Sequence, residues 1–313
     1  MKFIASMLLC TACLAVSAQV KVQNDIVYGK APDWNNQQQE LKLDLYTSTS
    51  QKDLPLILFM HGGGFFNGDK SPISGFCNRL ADKGFVVANI NYRVGFDTSI
   101  SKHDVGIAMA NYRAAQDQTA ALRFLLHYAK QYHIDAHNIF ISGESAGAVT
   151  SLENGFMAQT DWDAIMPSLH EQFGAIQNSD NDFTEQYSIR GIISMWGGIV
   201  DTSLISEAES KAIPILLIQS QSDEAIPFDH AKNQGAAYSN LYGSYDIAQR
   251  YSNSGSCAIL VYTKNARHYF GFSQHYVAQA IQQFVNDVIA GRCKSRTEEN
   301  KGADNSLPFS RYQ

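Results

Sequence analysis

Six short apolar runs, each bounded by glycine, proline or polar residues, set the tightest limit on how this chain can fold. They occupy residues 54–60, 85–90, 138–142, 191–196, 213–219 and 258–262. A strand with one wet face alternates apolar and polar side chains, whereas a run that is apolar on both faces needs cover on both. Helical patterns lie between the runs. Residues 117–132 place Ala121, Leu122, Leu125, Tyr128, Ala129 and Tyr132 on one stripe. Residues 273–289 place Tyr276, Val277, Ala280, Ile281, Phe284 and Val288 on another, with Ser273 as the N-cap. Both have the 3.6-residue period of a helix with one buried face. Strand alternating with helix predicts an α/β fold with a doubly wound, mostly parallel sheet. Residues 41–46 alternate instead and read as a half-buried strand.

Two stretches interrupt the pattern. Residues 95–116 and 152–190 are polar and aromatic, and both are longer than ordinary connections in such a sheet. Ligands of open α/β sheets bind outside the C-terminal ends of the strands. Residues 152–190 are therefore read as a lid-like insertion or substrate wall, with surface decoration as the plainer alternative.

Hydrophobic residues make up 45% of the 313 and charged residues 17%, which is too apolar for a disordered chain. The net charge is −6 and no basic stretch stands out, so a nucleic-acid partner is not expected. Residues 1–18 begin with Lys2, continue almost wholly apolar, and end in Val16-Ser17-Ala18 before Gln19. That is the pattern of a secretory signal peptide cleaved near Ala18-Gln19, and it predicts export to the periplasm or the medium. The later apolar runs are too short to span a membrane, which takes about 18 residues. The expected organisation is a signal peptide at 1–18, a catalytic-size domain at 19–293, and a loosely held polar tail at 294–313.

Export would leave three cysteines, Cys77, Cys257 and Cys293. In an oxidising compartment Cys257 and Cys293, toward the same end of the chain, are the favoured pair, with Cys77 a buried small apolar residue. No metal or other cofactor is expected. Neither Cys-x-x-Cys nor His-Glu-x-x-His occurs, and His133 and His137, four apart, fall in a connection leading into a strand and read as solvated.

Two motifs carry chemistry. Gly143-Glu144-Ser145-Ala146-Gly147 follows the run at 138–142 and opens a segment that can be helical. A serine on a tight strand-to-helix turn is exposed, flanked by glycines because a Cβ there would meet backbone, and backed by a helix N-terminus that favours negative charge. His61-Gly62-Gly63-Gly64-Phe65 follows the run at 54–60. Its glycines let backbone amides approach a developing oxyanion; the bland counterpart is a flexible turn. The amides of Gly63, Gly64 and Ala146 are the expected oxyanion hole, with His61 a structural hydrogen-bonding residue.

These motifs resemble the α/β-hydrolase superfamily over essentially the whole chain after residue 18. The His61–Phe65 and Gly143–Gly147 motifs together look like the carboxylesterase and hormone-sensitive-lipase-like esterase branches. Asn91-Tyr92-Arg93, followed by Asp117-Gln118 and Ala121-Leu122, is similar to the stretch before the elbow in type-B carboxylesterases. The chain departs from those branches in three ways. It is shorter than type-B enzymes. Its candidate acid is Asp rather than Glu, in a Ser-Asp-x-x-x-Pro setting closer to compact bacterial esterases. It also carries Glu144 where the hormone-sensitive-lipase-like group more often has Asp.

The resemblance implies a serine hydrolase of carboxylic esters whose triad runs Ser, acid, His along the chain. With Ser145 as nucleophile, His170, His230, His268 and His275 remain as bases. His268 follows the run at 258–262, where a strand delivers a loop to the active edge, and is the first choice; His275 is the reserve. Asp223, just past the run at 213–219, is the expected acid, ahead of Asp201 and Asp229, while neighbouring Glu224 is expected to point elsewhere. Phe65, Phe66, Trp162 and Trp196 are candidates to line an acyl or aryl pocket, or simply to pack. Small-molecule or polysaccharide-linked esters, short-acyl or feruloyl, are the expected substrates. A serine peptidase, or a silent hydrolase fold used for binding, is the alternative.

Overall fold

The computed structural model describes residues 19–49, 52–99, 103–177, 181–230, 241–302 and 308–310. The expected signal peptide at 1–18 lies outside the described residues. In chain order the first half contains β1 (Val20–Pro32), β2 (Gln38–Ser48), β3 (Leu54–Met60), α1 (Ser74–Asp82), β4 (Val86–Ile90), α2 (His103–His127), α3 (Ala129–Tyr132), β5 (Ile134–Glu144) and α4 (Ala146–Phe156). Next come α5 (Gln159–Ile165), α6 (Ser168–Phe173), β6 (Ile189–Met195), α7 (Glu207–Ala212), β7 (Ile215–Ser220), α8 (Ser244–Ser254), β8 (Ala258–Thr263), α9 (Gln274–Ile289) and β9 (Arg296–Glu299).

These strands form one sheet in the order β1-β2-β4-β3-β5-β6-β7-β8-β9. The six apolar runs are β3 to β8, and from β4 across to β9 every neighbouring pair is parallel. β1 and β2 join antiparallel at one edge. The period-2 rule then divides the core in two. Leu56, Leu58 and Met60 of β3 pack with Leu122 of α2, Val149 of α4 and Ile247 of α8. Ile57 and Phe59, pointing the other way, pack with Phe76 of α1 and Phe284 of α9. Helices on both faces explain why these strands carry no polar face.

The expected helix at 117–132 begins much earlier, at His103, so most of 95–116 is not a loop. Every residue from 110 to 122 of α2 is buried, among them Asn111, Arg113, Gln116, Asp117 and Gln118. A helix covered all round shows no single stripe, which is why the first half of α2 reads as polar irregular chain. Residues 152–190 finish α4, add α5 and α6, and pack on α2 through a small separate core of Tyr112, Met157, Trp162, Leu169 and Ile176.

The tail differs from expectation as well. Its residues 296–299 form β9, a polar edge strand parallel to β8, and Phe309 and Ser310 are buried. Arg-Thr-Glu-Glu has no apolar alternation to mark it as a strand. Cys257 and Cys293 form a disulfide with Cα atoms 5.8 Å apart, and Cys77 is a buried free thiol. The bond closes a 36-residue separation just before β9. Replacing both cysteines by serine is expected to cost about 3–4 kcal/mol on the loop-entropy model. Urea titration of the two forms checks this, and equal midpoints would contradict it.

Candidate active site

Ser145 sits between the end of β5 and the start of α4 with φ 52° and ψ −121°. That φ is rare for a residue with a side chain, and such strain persists only where the surroundings over-determine it. The Ser145 amide donates to the Met195 carbonyl of β6 at 2.9 Å. The flanking glycines are required by contact. A Cβ on Gly143 would run into the backbone of Gly147, and one on Gly147 into the carbonyls of Met60 and His61. The elbow is thus packed against the end of β3, where the glycine-rich loop begins.

The structure brings Ser145, His268 and Asp223 together from three strand ends. The Ser145 hydroxyl lies 2.9 Å from His268 Nε2, and His268 Nδ1 lies 2.9 and 2.8 Å from the two Asp223 oxygens. An ionised carboxylate only accepts, so Nδ1 carries the proton and Nε2 is left to accept from Ser145. Asp223 Oδ1 also accepts the amides of Ala225 and Ile226 at 2.9 and 3.0 Å, which fixes the carboxylate. Its side chain is 0% exposed and that of His268 9%, so the pair is shielded while Ser145 stays within reach at 7%. Glu224 does point elsewhere: it accepts the His268 amide at 3.0 Å and pairs with Arg267. Sequence reasoning did not identify this bracing of the histidine loop.

The rival candidates lie apart. His170 is exposed near Asp163 in α5, His230 stacks on Tyr242, and His275 is exposed in α9. Asp201 caps the turn at 202–204 through the Ser203 amide, and Asp229 is exposed. His133 approaches Asp53 at 3.7 Å, and His137 lies in β5. Among the described residues no group of three His, Cys, Asp or Glu could hold a metal ion, and no helix is long and apolar enough to cross a membrane.

Gly63 and Gly64 have φ of +118° and +63°, and a Cβ on Gly63 would strike the Asn67 carbonyl. Only glycine takes such turns without strain. His61 is buried, donates from Nδ1 to the Gly62 carbonyl at 2.7 Å and stacks on Tyr92 at 4.4 Å. Burial lowers its pKa to about 4, so it is a neutral structural residue. The Tyr92 hydroxyl donates to the His61 carbonyl at 2.7 Å, and Arg93 forms a buried ion pair with Asp117 at 2.7 Å. The Asn91-Tyr92-Arg93 stretch therefore ties the glycine loop to α2. Ala146 is the first residue of α4, so its amide is unpaired within the helix.

Of the four aromatic candidates, three pack. Phe65 and Trp196 are 0% exposed and Trp162 1%; Phe66, at 41%, is open to solvent and packs at a tilt against Phe96, with ring centroids 4.4 Å apart. Tyr269, which belongs to neither motif, is closer to the chemistry. Its hydroxyl is hydrogen-bonded to the Ser145 side chain and the Gly63 backbone.

Glu144, beside the nucleophile, is fully buried and accepts the Ser310 hydroxyl at 2.8 Å. Burial raises its pKa to about 8, and Glu153 in α4 is likewise raised to about 8. With a value near 4.5 when unfolded, each group holds a proton in the folded state alone between about pH 4.5 and 8. Stability then falls as pH rises through that window and levels off above it. Thermal melts from pH 5 to 8 should show this decline, about 1.4 kcal/mol per pH unit for each of the two groups. Glu144→Gln should remove roughly its half of it; an unchanged slope would contradict the assignment.

A relay of this geometry at the C-terminal edge of a doubly wound sheet defines the α/β-hydrolase class. The chain belongs to the BD-FAE family, which it matches over residues 43–213. It is similar to gut esterase 1 of Caenorhabditis briggsae, 36% identical over 33% of this chain and 18% of that protein. It is also similar to esterase LipI of Mycobacterium tuberculosis, 25% identical over 50% of this chain and 48% of that protein. The chain thus spans less than half the length of these relatives. Esterase 2 of Thermogutta terrifontis, in a structure phosphorylated by paraoxon, shares the fold with a TM-score of 0.59 and 18% identity. The overlap covers 90% of this chain and 97% of that one.

Proposed function

We propose that this chain is a serine carboxylesterase working through an acyl-enzyme. The observation that carries the reading is the unbroken relay from the Ser145 hydroxyl through both nitrogens of His268 to Asp223. His268 Nε2 takes the serine proton as Ser145 Oγ bonds to the ester carbonyl carbon, and Asp223 stabilises the imidazolium. The carbonyl π electrons move to oxygen, held by amides of the glycine loop and of Ala146. Collapse expels the alcohol with the proton from His268. Water, deprotonated by the same histidine, then releases the acid. Relatives named as esterases support ester over peptide bonds.

Export after cleavage near residue 18 fits a disulfide-bonded protein. Extracellular esters follow as substrates, with short-acyl or feruloyl groups on polysaccharides the favoured class. Phe66, exposed in the glycine loop and backed by the buried Phe96, is the ring on which an aryl acid could rest. The organisation proposed is a signal peptide at 1–18 and one hydrolase domain from 19 that extends past 293 to take in β9 and the buried Phe309 and Ser310.

The test is hydrolysis of p-nitrophenyl acetate, butyrate and octanoate by residues 19–313, together with paraoxon treatment. Expected are turnover with one preferred acyl length and a phosphoryl adduct mapped to Ser145. Background rates on all three esters, with Ser145 unmodified, would overturn the reading.

A further inference from the structure

Tyr269 follows the histidine of the relay and holds a conformation that aromatic residues avoid, with φ +66°. The surroundings impose it. The Tyr269 carbonyl accepts the Phe309 amide at 2.7 Å, and the ring lies 4.2 Å from the His268 ring and 5.7 Å from that of Trp196. Its hydroxyl reaches the Ser145 side chain and the Gly63 backbone, and a Cβ on Gly62 would collide with that hydroxyl. A phenol oxygen is therefore placed among the nucleophile and the very glycines that shape the oxyanion site.

The donors can be assigned in only one direction. The Gly63 amide donates, so Tyr269 Oη accepts there. Ser145 gives its own proton toward His268 Nε2, so its oxygen accepts from Tyr269. The bonds form one chain, from the Gly63 N–H to the Tyr269 O–H to the Ser145 O–H to His268. Resting on the esterase reading, we propose that Tyr269 is a catalytic hydrogen-bond donor. Its O–H holds Ser145 Oγ in the free protein and turns to the oxyanion once the serine has added to the ester.

The step balances without a new co-reactant. The serine proton goes to His268 Nε2, the Oγ–C bond forms, and the carbonyl π pair becomes the oxyanion. Oγ, now an ether-like oxygen, is a weaker acceptor than the anion beside it, so the Tyr269 O–H pivots between them. Tyr269 keeps its proton throughout; burial raises its pKa and so holds it neutral. Gly63 then acts through the phenol, polarising it, while Gly64 and Ala146 are left to meet the oxyanion directly. A donor fixed in advance contributes most because it need not reorganise during the reaction.

Tyr269→Phe keeps the ring and removes the donor. Expected on p-nitrophenyl butyrate is a fall in kcat of about 10²-fold with KM little changed. Affinity for butylboronic acid, which forms a tetrahedral adduct with the serine, should fall by a similar factor, while affinity for butyrate stays. If the variant matches the wild type, the hydroxyl only packs; if it is faster, the hydroxyl obstructs the site. Either result overturns the proposal while leaving the esterase reading intact. An inactive wild type overturns both. Should Tyr269→Phe fail to fold, fluorotyrosine placed at 269 keeps the packing and strengthens the donor. It should change kcat if the proposal holds, and an unchanged kcat overturns it.

Discussion

Ser145→Ala is expected to lower kcat on p-nitrophenyl esters by about 10⁶-fold, and His268→Ala by nearly as much. The two losses should not multiply. Ser145 Oγ and His268 Nε2, 2.9 Å apart, act in one event, so the double variant should be about as slow as either single one. The residual rate over water comes from the amides and from substrate positioning, which neither substitution touches. Steady-state kinetics on the three variants, with circular dichroism to show that each is folded, makes the comparison. A double variant much slower than both singles would mean that the residues act independently, contrary to the relay.

Asp223→Asn is the second large effect, about 10⁴-fold in kcat. The shape is nearly unchanged, and Asn Oδ1 can still accept the amides of Ala225 and Ile226. Its Nδ2 would then face His268 Nδ1, where the carboxylate now accepts. A donor there forces Nδ1 to accept and puts the ring proton on Nε2, which faces Ser145. The histidine can no longer take the serine proton. Because the lost function is deprotonation, the rate should partly recover at high pH, where the serine ionises more readily. Glu224→Ala, which frees the His268 amide and leaves the relay in place, should cost far less; a loss equal to that of Asp223→Asn would reverse the two roles.

What could be read in advance follows from how local each signal is. β3 to β8 were legible because both their faces are buried, which forces contiguous apolar runs bounded by turns. Gly143 and Gly147 were legible because a Cβ at either position meets backbone. β1 escaped notice because it is a twisted, bulged edge strand with mixed residues. The first half of α2 escaped for the opposite reason, since burial on every side erases the period. Tyr269 was invisible as chemistry, because an aromatic residue next to a histidine says nothing of which way its hydroxyl points. The backbone that carries it is held by the amide of Phe309, forty residues further along and itself unremarkable in the sequence. Three of the four aromatics marked as pocket candidates turned out to fill the core, since composition alone cannot separate a lining ring from a packed one.

The packing of residues 308–310 has a consequence for how the site holds its shape. Phe309 fastens Tyr269 and Ser310 fastens Glu144, so the floor beneath the nucleophile is supplied by a segment forty residues beyond the histidine. A chain cut before residue 308 would keep Ser145, His268 and Asp223 and lose both fasteners. Clipping there would loosen the ground under the relay without removing any member of it.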